Sequence, residues 1–184
     1  LQVLDGRSRV DGVALGLTGT IADGWTIFAN YTWLKSRVLQ SVSDTCIASP
    51  SAGCRNSAAI PDPQRGDDLV QTPEHSGSLF ASYRFPFGLE LGYGLTYQGS
   101  FALNQRTLLQ RIQYRSDDYL VHRLYVAYPF APGLTAQLNV QNVTDEHYFT
   151  AIRNNVNATS GVITGGWAAP GETRSAVFSL VYSF

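Results

Sequence analysis

Leu134-Thr135-Ala136-Gln137-Leu138-Asn139-Val140-Gln141 carries an apolar side chain at every second position. Successive side chains of an extended strand point to opposite faces. Leu134, Ala136, Leu138 and Val140 therefore share one face, and Thr135, Gln137, Asn139 and Gln141 share the other. This strict period of two predicts a strand rather than a helix. The polar row decides the architecture. A soluble sandwich covers its outer faces with Lys, Glu and Arg, whereas this row holds only amides and hydroxyls. Small uncharged polar groups suit a wet lumen, and the opposing aliphatic row suits lipid.

Six further segments repeat the pattern. At the end of the chain, Ala176, Phe178, Leu180, Tyr182 and Phe184 alternate with Ser175, Val177, Ser179, Val181 and Ser183. Val13, Leu15 and Leu17 oppose Gly12, Ala14, Gly16 and Thr18, and Trp25, Ile27, Ala29, Tyr31 and Trp33 oppose Thr26, Phe28, Asn30 and Thr32. Leu79, Ala81, Tyr83 and Phe85 oppose Ser78, Phe80, Ser82 and Arg84. The remaining two apolar rows are Leu89, Leu91, Tyr93, Leu95 and Tyr97, and then Leu120, Leu124, Val126 and Tyr128. His122 is the misfit in the last row, near one strand end where an interface tolerates it.

The connections alternate in length. Ala22-Asp23-Gly24, Pro86-Phe87-Gly88 and Ala131-Pro132-Gly133 read as short turns closed by glycine. Between them lie three long stretches read as irregular: about Leu39 to Thr72, Leu103 to Asp117, and Phe149 to Glu172. Compact soluble domains rarely hold several such loops. Outer-membrane barrels do, with short periplasmic turns and long outer loops. Trp25, Phe85, Tyr128, Phe130, Tyr182 and Phe184 cluster beside the short turns, as an interfacial aromatic girdle would. The expected fold is an all-β transmembrane antiparallel barrel. Seven strands fall short of the smallest bacterial barrel of about eight, so the chain is expected to be part of a larger one.

Composition agrees. Only 15% of the 184 residues are charged, against roughly 25% in soluble domains. The formal net charge of -1 leaves no basic stripe, which argues against nucleic acid as a partner. No run of about 18 apolar residues offers a transmembrane helix. Leu1 opens no basic segment followed by an apolar run, so any export signal is expected upstream. Cys46 and Cys54, close together in a Ser/Ala/Gly/Pro-rich stretch, are read as a disulfide in an oxidising compartment. No His or second Cys pair accompanies them, and His75, His122 and His147 lie on three separate segments, so no metal site or cofactor is expected. Asp67-Asp68 and Asp117-Asp118 stand at loop ends with nothing beside them to argue for calcium. No Ser–His–acid set shares parity and depth, which argues against a hydrolase.

The residues resemble the TonB-dependent siderophore receptors, in particular the catecholate and related ferric-siderophore branch. Asn139-Val140-Gln141-Asn142-Val143-Thr144-Asp145-Glu146-His147-Tyr148 is similar to that family's late-strand motif, Asn-(Leu/Val)-x-Asp-x-x-Tyr. Pro170-Gly171-Glu172-Thr173-Arg174, with the alternating strand to Phe184, resembles its terminal strand and closing aromatic. Gly12 to Leu17 and Gly24 to Thr32 resemble a preceding hairpin, and Thr72-Pro73-Glu74-His75-Ser76 resembles the start of a later strand. Ala14 and Arg123 depart from the pattern, standing where relatives often carry a lumen-facing acid.

The resemblance implies that residues 1–184 are the C-terminal part of a barrel of about 22 strands, with the plug domain absent from this chain. It implies import of ferric siderophores rather than enzymatic catalysis. The implied partners are the ferric siderophore as cargo, the TonB energy-coupling complex acting through the plug, outer-membrane lipid and lipopolysaccharide, and the barrel-assembly machinery, for which Phe184 would be the C-terminal signal. Another cargo (cobalamin, a sugar, another metal chelate) or a passive porin is the alternative. Siderophore complexes are commonly anionic and aromatic, so Arg forks and flat Tyr or Trp surfaces are the expected contacts. On the outer loops these are Arg106, Arg111, Tyr114, Arg115, Arg153 and Trp167. Arg84, Glu90 and Arg123 face the lumen by parity and are expected to pair with one another or with the plug.

Overall fold

The computed structural model describes residues 5–157 and 159–184, which leaves Leu1 outside the described residues. In chain order the strands are β1 (Arg7–Ala22), β2 (Trp25–Gln40), β3 (His75–Arg84), β4 (Glu90–Gln98), β5 (Tyr119–Ala131), β6 (Leu134–Gln141), β7 (Phe149–Val156), β8 (Ile163–Pro170) and β9 (Ser175–Tyr182). One short helix, α1 (Asp44–Ala48), follows β2. The main sheet has seven strands in the order β1-β2-β3-β4-β5-β6-β9, every neighbouring pair antiparallel. Its strands are the seven segments read from alternation. β7 and β8 form a separate two-stranded sheet.

Register shows that the alternation is a property of the whole sheet. Directly opposite residues in an antiparallel pair share a face. Leu17, Ala29 and Leu79 are joined in one row that continues through Leu95 to His122. Tyr93, Leu124, Val140 and Ala176 form another. On the opposite face, Asn30 pairs with Ser78 and Ser78 with Thr96, while Gln137 pairs with Ser179. Across these ladders apolar rows meet apolar rows, so the sheet has one oily face. Leu15, Leu17, Phe178 and Leu180 are each more than half exposed on it. An apolar surface running across seven strands exceeds what a soluble monomer leaves to water and suits hydrocarbon.

The three short turns use one device. Gly24, Gly88 and Gly133 all have φ between 70° and 97°, a region that only glycine enters without strain. Gly24 is doubly constrained, since a Cβ there would come within 2.6 Å of the Arg84 carbonyl oxygen. The aromatics beside these turns touch one another: ring centroids are 5.1 Å apart for Trp25–Tyr83, 4.8 Å for Tyr83–Phe85 and 5.3 Å for Phe85–Phe87. At the end of the chain Tyr182 and Phe184 lie 6.3 Å apart, with β9 stopping at Tyr182 rather than reaching Phe184.

Two readings need correction. Phe149 to Glu172 is not irregular; it holds the β7–β8 hairpin, whose run of Gly, Asn and Ala hides any clean alternation. β1 and β2 are also longer than read, 16 residues each, so the hairpin they form rises well beyond the apolar band. His122, the misfit on the apolar face, is satisfied there by Tyr93, whose hydroxyl lies 2.5 Å from its Nδ1. Tyr31 and His75 repeat the arrangement at 2.7 Å.

Candidate functional site

Apart from residues such as Ala127 and Ser82 on the wall, the buried side chains gather among the loops at the end of the sheet opposite the short turns. Phe101, Ala102 and Leu103 are buried there, together with Asn56, Asp67 and Asn104. The loop between β2 and β3 starts with α1, whose N-cap Ser43 accepts a hydrogen bond from the Cys46 N–H at 3.2 Å. A single turn of 3-10 helix, Ala52–Cys54, follows and is capped in the same way by Ser51. A disulfide joins Cys46 to Cys54, their Cα atoms 5.7 Å apart. Asn56 stitches the loop from inside. Its amide donates to the carbonyls of Cys46 and Pro61, both at 2.8 Å, and its carbonyl accepts from the Ser51 N–H at 3.0 Å.

This loop folds back over β2. Val38 N–H donates to the Asp67 carbonyl and Gly66 N–H to the Val38 carbonyl, both at 2.8 Å. Leu69 N–H donates to the Ser36 hydroxyl at 3.0 Å. Asp67 then reaches the loop between β4 and β5, accepting from the Arg106 backbone N–H at 2.8 Å and from the Arg106 guanidinium. Asp68 accepts from Arg115 Nη1 at 2.7 Å. Asn104 organises that second loop, accepting from Tyr114 N–H and donating to the Ile112 carbonyl. The β7–β8 hairpin docks last, with Asn154 N–H donating to the Leu103 carbonyl at 3.1 Å and Gly161 packed against Leu109. Burial and cross-hydrogen-bonding of this kind tie the three loops to one another as a lid.

The six loop candidates are dispersed over this lid. Arg106 and Arg115 are engaged by Asp67 and Asp68, which accounts for both carboxylates of that pair as arginine partners. Arg111 lines a cleft of about 430 Å³ with Ile47, Ile60, Asp62 and Arg65. Arg106 borders a second cleft of about 410 Å³ with Arg55 and Gln64. Tyr114 is exposed, its backbone held by Leu103 and Asn104. Arg153 and Trp167 stand directly opposite each other on the hairpin, both exposed. Arg55 and Arg65 were not singled out in the sequence, and only the cross-loop packing brings them beside Arg106 and Arg111.

On the polar face, Arg84 and Glu90 are directly opposite partners bridged at 2.7 Å. Arg123 does not join them. Its guanidinium carbon sits 5.1 Å from the centre of the Phe80 ring, and its Nε has no partner among the described residues. Phe80, Glu90, Arg123, Tyr125, Asn139 and Gln141 surround a recess of about 410 Å³ on this face. Gly92 and Gly94 make the room, since a Cβ at either would strike Phe80 or Arg123.

At the rim, Glu74 accepts hydrogen bonds from Trp33 Nε1 at 3.3 Å and from Lys35 Nζ at 3.5 Å. The Trp33 hydrogen bond, then the Lys35 charge, hold its carboxyl below the ordinary value of 4.5.

Residues 1–143 match the family described as TonB dependent receptor-like, beta-barrel. The siderophore receptor PiuA of Acinetobacter baumannii is 25% identical over 182 residues, 97% of this chain and 21% of its own length. The metal-pseudopaline receptor CntO of Pseudomonas aeruginosa is 27% identical over 188 residues, covering 100% of this chain and 22% of the relative. The chain thus spans about a fifth of the length of the curated relatives it matches. Among solved structures, the crystal structure of PiuA superposes with a TM-score of 0.72 at 25% identity, covering 96% of this chain and 22% of that one. The ferric-catecholate import receptor Fiu of Escherichia coli, in its closed form, gives 0.69 at 23% identity, covering 97% and 21%.

Proposed function

This chain belongs to the TonB-dependent receptor-like β-barrel family, a family of receptors and not of enzymes, and from that premise we propose that the protein carrying it imports ferric siderophores across the outer membrane. Residues 1–184 then form the C-terminal part of the barrel domain, the plug being supplied by other residues of the receptor. Cargo binds at the loop end, and energy arrives from the periplasm through the TonB complex. The barrel-assembly machinery inserts the wall, with Phe184 as its terminal signal, and lipid with lipopolysaccharide surrounds it.

The observation that carries this reading is the locked loop lid with arginine-lined clefts. Arg55, Arg65 and Arg111 bring positive charge into them while the Asp67–Arg106 pair holds the two loops together. An anionic chelate is drawn by such charge, and guanidinium forks match its oxygens. No bond is made or broken in the cargo; binding and release suffice.

The test is uptake of radiolabelled ferric siderophores by a strain lacking redundant receptors, with and without the gene for the full receptor. Loss of uptake on deletion, restored by the gene and abolished without TonB, is the expected result. Unchanged uptake across catecholate and hydroxamate chelates would sink the reading. A second reading, another metal chelate as cargo, is favoured by the likeness to the metal-pseudopaline receptor. Uptake of zinc or nickel chelates in the same strains decides between the two.

A further inference from the structure

The upper part of the β1–β2 hairpin carries a charge arrangement that cargo import does not use. Arg9 and Arg37 are directly opposite each other, and Asp11 and Lys35 form the next pair of the same row. That row is the continuation of the apolar one, since Val13 and Trp33 follow next in register. Two guanidiniums directly opposite on one face repel. Arg9 is answered by Asp11, 2.7 Å away, and Lys35 by Glu74 at 3.5 Å. Arg37 makes no ion pair among the described residues, so the patch holds a surplus cation. Arg9, Asp11, Lys35, Arg37 and Leu39 line a recess of about 290 Å³. Ser36 and Val38, which alternate with them, are buried on the inner side, so Lys35 and Arg37 point outward.

Height places this recess at a definite level. Trp25 to Trp33 on β2 spans about 20 Å for a strand tilted about 40° and rising about 3.3 Å per residue. That is most of the roughly 25 Å apolar band of a barrel, with Trp near both edges. Lys35 and Arg37 then stand about 5 and 10 Å above Trp33, at the upper edge of the band and in the outer-leaflet headgroup layer. Directly below, Val13, Leu15 and Leu17 are each more than half exposed to the acyl layer. Closure of the barrel adds strands at the sheet edges and leaves this outward face uncovered.

The geometry points to a binding site for a phosphorylated lipid of the outer leaflet, its phosphate bridging Arg9 and Arg37 with Lys35 alongside and its acyl chains lying along Val13, Leu15 and Leu17. A phosphate between opposed guanidiniums removes their repulsion and gives each a charge-assisted hydrogen bond. The inference rests on the outer-membrane reading above and names the lipid contact within it.

The full-length receptor, purified in detergent and freed of lipid, is titrated with bisphosphorylated hexa-acyl lipid A under native mass spectrometry, without chelate or iron. The same lipid stripped of both phosphates, and inorganic phosphate at millimolar concentration, are the comparison arms. Binding of the phosphorylated lipid at least tenfold tighter than the stripped one is expected. Arg37→Glu should weaken it about tenfold and Arg37→Lys should retain most of it. Equal binding of the two lipids, unaltered binding by Arg37→Glu, or full displacement by inorganic phosphate would each overturn the assignment. Should Arg37→Glu fail to fold, the comparison of the two lipids on the unaltered receptor decides alone. The cargo plays no part, so failed iron uptake with intact lipid selectivity separates the two readings.

Discussion

Asp67 holds Arg106 twice, through the backbone N–H at 2.8 Å and through the guanidinium, across 39 residues of sequence. Asp67 is 2% exposed, whereas the Arg106 side chain keeps 28% of its surface. The aspartate is thus the buried anchor and the arginine the half-open strut between two loops.

Asp67→Ala should loosen the lid without unfolding the wall. Leaving Arg106 and its N–H unpartnered costs about 1–3 kcal/mol locally. Hydrogen exchange at the Leu103 and Tyr114 amides should accelerate about 5- to 100-fold, while amides of β3 and β4 stay unchanged. Asp67→Asn keeps an acceptor and should fall between. Equal exchange in all three proteins would show that the pair does not hold the loops.

Reducing Cys46–Cys54 should open the loop beyond β2. A disulfide closing so short a loop contributes about 2–3 kcal/mol by restricting the open state. Limited proteolysis between Asp44 and Pro61 should speed up in reductant, and the thermal midpoint of the barrel should stay put. Asn56, with its three internal hydrogen bonds, keeps part of the protection, so Asn56→Ala with reduction should expose the loop more than reduction alone.

Acid should release the Trp33–Glu74 contact. The Glu74 carboxyl titrates below its ordinary value, so its stabilisation is complete above about 4.5 and is lost as pH falls through the lowered folded value. Fluorescence of Trp33, read as the difference between the receptor and its Trp33→Phe variant, should change as pH falls below about 4.5. Glu74→Gln should flatten that change. A transition of the same size in the variant would assign it to another group.

Charge should be tolerated on one face of β6 and not on the other. Leu138 is opposite Phe178 on the apolar face, while Gln137 is opposite Ser179 on the polar face. Leu138→Arg should cost about 2–4 kcal/mol in a bilayer and Gln137→Arg far less. Urea unfolding in phospholipid vesicles measures the difference. The reverse order would turn the barrel inside out.

Seven strands, their faces and the three glycine turns were legible because each depends on neighbours in sequence. Val13-Ala14-Leu15 or Ser179-Leu180-Val181 needs only the pleat to sort its side chains. The β7–β8 hairpin was not legible. Thr164-Gly165-Gly166-Trp167-Ala168-Ala169 has no alternating row; it pairs with β7, and the hairpin docks through Asn154 on Leu103 and Gly161 on Leu109. The loop arginines were visible as charges, but nothing local separates Arg106, engaged by a buried carboxylate, from Arg111, which lines a cleft.

Local pattern alone sets which face of each ribbon is oily, which ends turn tightly, and that two of the three long stretches are loops, while it missed the hairpin in the third. Those choices follow from a two-residue period and from the backbone freedom of Gly24, Gly88 and Gly133. The pairing of Asp67 with Arg106, the placing of Arg123 over Phe80 and the meeting of Arg9 with Arg37 arise in the folded chain alone. Such pairs depend on register and loop closure between distant segments, and Coulomb attraction or repulsion exists only after folding has brought the charges within a few ångströms of each other.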